Sequence, residues 1–266
     1  MTSPRSLLIR TAGTNCEAEL EYAWNRAGAS TEILHVKRLI EKPETLREFQ
    51  LLSLPGGFSY GDDLGAGRIH AIEIRERLLG PLREFVGGGK LIYGVCNGFQ
   101  VLVKAGLLPG FEFLESKEAP PLDATLTDNE NGKFQDRWIT LKVVSSLTPF
   151  LKEGAVFRVP IAHGEGKFLP KDDATLAKLR ASRQVVLKYV APDGSAAKGW
   201  PDNPNGSVDD IAGICDPTGR VFGLMPHPER HADKVQGPTW TREGGGEGDG
   251  EGLAVFRNAV EYAKGL

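Results

Sequence analysis

A chain of 266 residues is long enough for one large α/β domain with a substantial core. Hydrophobic residues make up 40% and charged residues 25%, which excludes a disordered or fibrous chain. A net charge of −3 gives no general attraction to nucleic acid or anionic lipid, so small polar substrates and protein partners are favoured. The N-terminal MTSPRSLLIR lacks the apolar core of a signal peptide, and no later stretch is long and apolar enough to span a bilayer. A cytoplasmic location is the expectation. The three cysteines, Cys16, Cys96 and Cys215, suit neither a disulfide framework nor a zinc site, and no bound metal is expected.

The first hundred residues alternate between β and α signals. Ser6 to Arg10 reads as a buried strand, and Glu17 to Arg26 as a helix with apolar positions at helical spacing, closed by Gly28. Thr31 to Val36 is a second strand and Pro43 to Phe49 a short helix. Leu51 to Leu54 is a third strand, running into Pro55, Gly56 and Gly57. Ile69 to Val86 reads as one helix. Lys90 to Val95 is a fourth strand, and the apolar helix Phe99 to Leu108 follows it directly. Such alternation implies a mostly parallel open sheet with helices on both faces.

The second half reads differently. Asp123 to Thr127, Arg137 to Val144, Val156 to Pro160 and Gln184 to Val190 are strand-like, with only Asp172 to Ala181 helical among them, which predicts antiparallel strands added to the main sheet. Ile211 to Asp216 and Val221 to Met225 read as a hairpin, and Leu253 to Lys264 as a closing helix. The acidic, glycine-rich TREGGGEGDGEG at 241–252 reads as a mobile surface loop within a single domain spanning 1–266.

The most informative stretch is GVCNGFQ. If the fourth strand ends at Val95 and a helix begins near Asn97, Cys96 occupies the sharp turn between them, at the sheet edge where α/β proteins place their sites. Gly94 and Gly98 would let the backbone hold the sulfur outward in a strained conformation. The helix N-terminus favours a thiolate there and leaves the Asn97 N–H free to donate to an oxyanion. The plain alternative is a small buried cysteine ahead of a core helix. A thiolate nucleophile needs a base, which in turn needs an orienting carboxylate. His35, His70 and His231 carry no nearby signature. His227 does: in GLMPHPER prolines stiffen both sides, and Glu229 lies two residues on, where an extended segment would turn both side chains the same way. Read plainly, PHPE is a surface turn. Gly57 is the candidate for a second oxyanion donor, because paired glycines after a buried strand leave a backbone N–H unobstructed. The glycines of GGFSYGDDLGAG match neither GxGxxG nor GxxxxGK[ST], so no nucleotide loop is read here.

GVCNGFQ together with PHPE resembles the class I glutamine amidotransferases. GTNCEAELEYAWNRAGA, GGFSYGDDLGAGRIHA, KFQDRW and PIAHGEGKF are similar to the glutaminase subunits of phosphoribosylformylglycinamidine synthases, and the likeness covers nearly the whole chain. The resemblance implies a flavodoxin-like architecture, with Cys96 as nucleophile, His227 as acid and base, Glu229 as its orienter, and Gly57 and Asn97 as oxyanion donors. It also implies that Gln100 contacts the substrate glutamine and that His163 lies near the pocket; a solvent-facing Gln100 and a plain turn at AHGEG are the alternatives. By the same resemblance no cofactor is held by this chain. ATP and Mg would sit on a partner synthetase subunit that receives the ammonia, often with a small accessory subunit, and neither nucleic acid nor membrane is a partner. Against the family pattern, the acidic glycine loop Glu243 to Gly252 is longer than usual. Cys16 also sits between a strand and a helix but lacks the glycine frame, so it is expected, with Asn15, to shape the loop beside the site. Two readings from other classes stay open: a stand-alone thiol hydrolase of γ-glutamyl compounds, and a non-catalytic binding module.

Overall fold

In the computed structural model, which describes residues 3–266, the chain alternates strands and helices through β1 (Arg5–Arg10), α1 (Glu17–Ala27), β2 (Ser30–His35), α2 (Val36–Glu41), β3 (Leu51–Leu54), α3 (Arg68–Arg77), α4 (Leu79–Gly87), β4 (Leu91–Val95) and α5 (Asn97–Lys104). Next come β5 (Ala124–Thr127), β6 (Gln135–Val143), β7 (Val156–His163), β8 (Lys167–Pro170), α6 (Asp173–Ala181), β9 (Val185–Val190), β10 (Ile211–Cys215), β11 (Val221–Leu224) and α7 (Leu253–Ala263). Nine strands form one sheet in the order β2-β1-β3-β4-β11-β10-β9-β6-β7. Pairing is parallel from β2 through β4 to β11 and antiparallel from β11 to β7.

This order positions the site. Because β1, β3, β4 and β11 are parallel neighbours, the segments that follow them all leave at one edge: GTNC after β1, PGGFSYGDD after β3, CNG after β4 and PHPE after β11. Strands β3 and β4 are buried along their whole length, as continuous apolar runs covered on both faces should be. Trp24 from α1, Phe256 from α7, Tyr93 from β4, Phe222 from β11 and Phe150 form one aromatic cluster under that edge, with ring centroids 5.0–6.1 Å apart. Each ring contributes roughly 1.5–3 kcal/mol by burial. Trp24 also satisfies its indole N–H on the Ser53 hydroxyl at 3.0 Å, which fixes α1 against the end of β3.

Most predicted elements stand within a residue or two. The helix read over Ile69 to Val86 is in fact two, broken at Leu78: Pro81 has no N–H for the Arg77 carbonyl and its ring crowds that turn. The helix after Cys96 starts at Asn97 and stops at Lys104, because Gly106 takes a φ of 82°. The strand near Asp123 does not join the main sheet. It pairs with β8, which the sequence reading missed, in a separate two-stranded ribbon. The 241–252 stretch is largely exposed, yet its end is fastened: the Gly250 and Gly252 N–H groups donate to Ala232 and His231 carbonyls at 2.8 and 3.0 Å, and Asp249 pairs with Arg26 and Arg257. Among the described residues no helix is long and apolar enough to cross a membrane.

Candidate active site

Cys96 has φ 51° and ψ −108°, a conformation that non-glycine residues rarely adopt and that costs on the order of 1–3 kcal/mol. Two contacts enforce it. A Cβ on Gly98 would lie 1.9 Å from the Leu54 carbonyl oxygen, and one on Gly94 would lie 2.5 Å from Leu102 Cδ1 and 2.8 Å from the Gly98 oxygen. The first turn of α5 therefore sits directly on the end of β3, closer than any side chain allows. The Cys96 N–H remains in the sheet, donating to Leu224 at 2.9 Å, while its carbonyl accepts the Gln100 N–H at 3.1 Å and opens α5. The sulfur is turned outward, 3.6 Å from the Ala162 carbonyl oxygen, so the elbow predicted from GVCNG is the geometry found.

Leu224 pairs with Val95, so the chain leaving β11 arrives beside this elbow. The His227 N–H donates to the Pro160 carbonyl at 2.9 Å, and Nδ1 lies 2.5 Å from Glu229 Oε1, with both side chains buried. The pair is made by a turn rather than by an extended segment: Pro228, with its φ fixed, starts a 3₁₀ turn over Pro228–His231 that folds Glu229 back beneath the imidazole. Among the described residues His227 Nε2 has no hydrogen-bond partner of normal geometry. Burial lowers the proton affinity of His227, but the Glu229 carboxylate and then the Cys96 sulfur outweigh it and raise the pKa to about 10.

In front of the sulfur lies a cavity of about 280 Å³ lined by Gly57, Cys96, Gln100 and His163, together with Phe58, Asp62, Phe134 and Glu165. His227 and Glu229 do not line this cavity. Gly57 has φ 130°, and a Cβ there would meet the Asn15 backbone nitrogen at 2.8 Å; the loop after β1 thus presses on the loop after β3. Neither the Gly57 nor the Asn97 N–H has an acceptor among the described residues. The Asn97 and Gln100 side chains are not free. Asn97 Nδ2 donates to Asp62 Oδ1 at 3.1 Å and to Gln100 Oε1 at 3.0 Å, its Oδ1 accepts the Ser59 N–H, and Gln100 Nε2 donates to the Glu165 carbonyl at 2.6 Å. Gln100 therefore holds the AHGEG turn onto α5 as well as lining the cavity. His163 Nδ1 donates to Asn129 Oδ1 at 3.0 Å, an oxygen that can only accept and that also takes the Gly166 N–H. Burial and the nearby His227 lower the His163 pKa to about 3, so its Nε2 is an unpartnered acceptor.

These groups can supply a strained nucleophile, a buried His–carboxylate pair and unobstructed N–H donors around one small cavity. Residues 3–263 match the family of CobB/CobQ-like glutamine amidotransferase domains. The chain belongs to that family. It is 44% identical over 265 residues to the phosphoribosylformylglycinamidine synthase subunit PurQ of Dehalococcoides mccartyi, covering 99% of each chain. The subunit of the same name from Methanococcus maripaludis is 41% identical, with 97% of each covered. A chain in the structure of PurLQS from Thermotoga maritima superposes with a TM-score of 0.72 at 32% identity, covering 98% of this chain and 99% of that one.

Within this amidotransferase architecture several groups escaped the sequence reading. Asp62 lies inside GGFSYGDDLGAG, where the reading rests on the glycines, and Asn129 lies in a polar loop with no motif of its own. Burial raises the Asp62 pKa against the hydrogen bonds it receives from Gly67 and Asn97. Glu19 and Arg230 meet through a 2.8 Å ion pair although 211 positions separate them. Their charges sit in GTNCEAE and PHPER, so the signal was present as an acid and a base flanking two motifs. Among the described residues, Glu19, His227 and Glu229 alone bring ligand-type atoms together, within 4.8 Å of one another. One oxygen of each carboxylate is already engaged, Glu229 Oε1 by the imidazole and Glu19 Oε1 by Arg230, which is the pattern of a charge cluster.

Proposed function

We propose that this chain is the glutaminase subunit of a phosphoribosylformylglycinamidine synthase in de novo purine biosynthesis, hydrolysing L-glutamine and passing ammonia to an ATP-dependent synthetase subunit. The observation that carries the chemistry is Cys96 at φ 51°, at the start of α5, with the cavity in front and the buried His227–Glu229 pair close by. The Cys96 thiolate attacks the side-chain carbonyl carbon of glutamine and a C–S bond forms. The carbonyl oxygen becomes an oxyanion, met by the N–H groups of Gly57 and Asn97. His227, as imidazolium, gives its proton to the amide nitrogen; the C–N bond breaks and ammonia leaves. His227, now neutral, takes a proton from water, whose oxygen attacks the thioester, and glutamate departs as the thiolate and the imidazolium are restored. Each oxyanion donor is worth about 3 kcal/mol of barrier. Gln100 and His163 contact the bound glutamine, with the bare Nε2 of His163 accepting a donor from it.

Free ammonia is protonated in neutral water and lost as a nucleophile, so the acceptor must be docked. The likeness to a chain of the PurLQS structure supports a synthetase partner and a small accessory subunit. ATP and Mg bind on the synthetase, and the complex works in the cytoplasm. The test is glutamate release from glutamine by wild type and Cys96→Ala, each alone and mixed with the synthetase, the ribonucleotide substrate and ATP. Slow release alone, a sharp rise in the mixture and silence of Cys96→Ala in both is the expected pattern. Full activity alone would favour a stand-alone hydrolase, and no release under any condition a binding module.

A further inference from the structure

Next to the His227–Glu229 pair lies a second charged pair that does not line the cavity. Arg230 Nε donates to Glu19 Oε1 at 2.8 Å, and its Nη2 reaches the Cys16 sulfur at 3.3 Å. Glu19, on the first turn of α1, brings its carboxylate within 4.8 Å of the ligand atoms of His227 and Glu229. Glu229 Oε2 is buried and receives no hydrogen bond among the described residues. Two carboxylates this close repel, and burial strengthens the repulsion unless cations divide them. One cation is the His227 imidazolium. The other is Arg230, which follows Glu229 directly in the chain and is half-buried.

We propose that Glu19 and Arg230 are positioning residues of this thiol site: together they fix the charge that the His227–Glu229 pair and the Cys96 sulfur experience. The proposal rests on the reading of Cys96 as nucleophile. The charged and titratable groups around the pair come from several elements: Glu229, Glu19, Cys96 and His163 lie about His227, and Arg230, Cys16 and Tyr93 lie about Glu229. Of these, apart from Glu229 itself, only Glu19 and Arg230 carry a formal charge without touching the cavity. A charge removed from this pair moves every protonation step of the Cys96–His227 couple the same way: losing the anion lowers them and losing the cation raises them.

The measurement is the rate of iodoacetamide labelling of the Cys96 peptide in the full-length chain across pH, read by peptide mass mapping, with Cys96→Ala as control. Glu19→Gln is expected to move the midpoint of labelling down by about one unit, and Arg230→Met up by about one unit. The double variant returns near wild type, and Arg230→Lys, which keeps the charge, stays close to it. Thermal melts show which variants are folded; if Arg230→Met is not, Glu19→Gln and Arg230→Lys carry the same prediction. Midpoints that stay at the wild-type value in folded variants, or that move together in Glu19→Gln and Arg230→Met, overturn the proposal. If Cys96 is unlabelled at every pH, the nucleophile reading itself fails, and that result differs from an unshifted curve.

Discussion

Cys16 and Cys96 occupy matching places: each lies between a parallel strand and a helix, at the same edge of the sheet, and each is buried. Their environments diverge. Cys16 caps α1 with φ −106° and ψ 13°, an unstrained backbone, and its sulfur is occupied, donating to Asn15 Oδ1 at 3.2 Å and accepting from Arg230 at 3.3 Å. Burial first, and then the Glu19 carboxylate, push its thiol well above the ordinary range. Cys96 is forced to φ 51° by two glycines and by the end of β3, and its sulfur lines a cavity. A strand-to-helix turn therefore does not make a nucleophile. What distinguishes the two is close backbone packing that only glycine permits, and open space ahead of the sulfur.

The comparison can be broken most sharply at the sulfurs themselves. Cys96→Ala should lower glutamine turnover in the assembled complex about a thousandfold or more. Replacing the glycine that creates the elbow should cost stability first: Gly98→Ala puts a methyl 1.9 Å from a backbone oxygen, and its denaturant midpoint should reveal a loss of more than about 3 kcal/mol. The His227 pair should show in the pH dependence of unfolding. Its folded pKa is raised from 6.5 to about 10, so its stabilisation is complete below pH 6.5 and lost as pH rises to about 10. Urea titrations of wild type should lose on the order of a few kcal/mol over that window, and His227→Gln should lack that slope; parallel slopes in both would sink the assignment. Gly57→Ala, strained at φ 130° and crowded by Asn15, should lower kcat roughly a hundredfold with KM little changed. Smallest is Cys16→Ala, expected to keep turnover within about tenfold of wild type. An inactive but folded Cys16→Ala would erase the distinction between the two thiols.

Much of this was legible in the sequence because glycine and proline record backbone needs directly. The frame around Cys96, the doublet at Gly56 and Gly57, and the prolines around His227 each mark a conformation that the structure adopts, and the β/α alternation dictates the parallel half of the sheet. Long-range polar contacts were less legible. Nothing local says that Asn129 will orient His163, or that Glu19 will meet Arg230, since these depend on which loops the topology brings to one edge. Pro81 is the opposite case: helical periodicity runs through it from Ile69 to Val86, yet it divides α3 from α4. The composition of the glycine-rich stretch says only that it is polar and flexible, and conceals a particular role. A Cβ on Gly250 or Gly252 would lie 2.2 Å from the His231 oxygen or 2.1 Å from the Pro228 oxygen, so these glycines let the chain pack directly against the turn that carries Glu229.

The most direct measurement is covalent trapping. A diazoketone analogue of glutamine, added to the wild-type chain in complex with its synthetase and followed by peptide mass mapping, should place one adduct on Cys96 and leave Cys16 and Cys215 unmodified. An adduct on Cys16, or equal modification of all three cysteines, would contradict the assignment of Cys96 as the nucleophile.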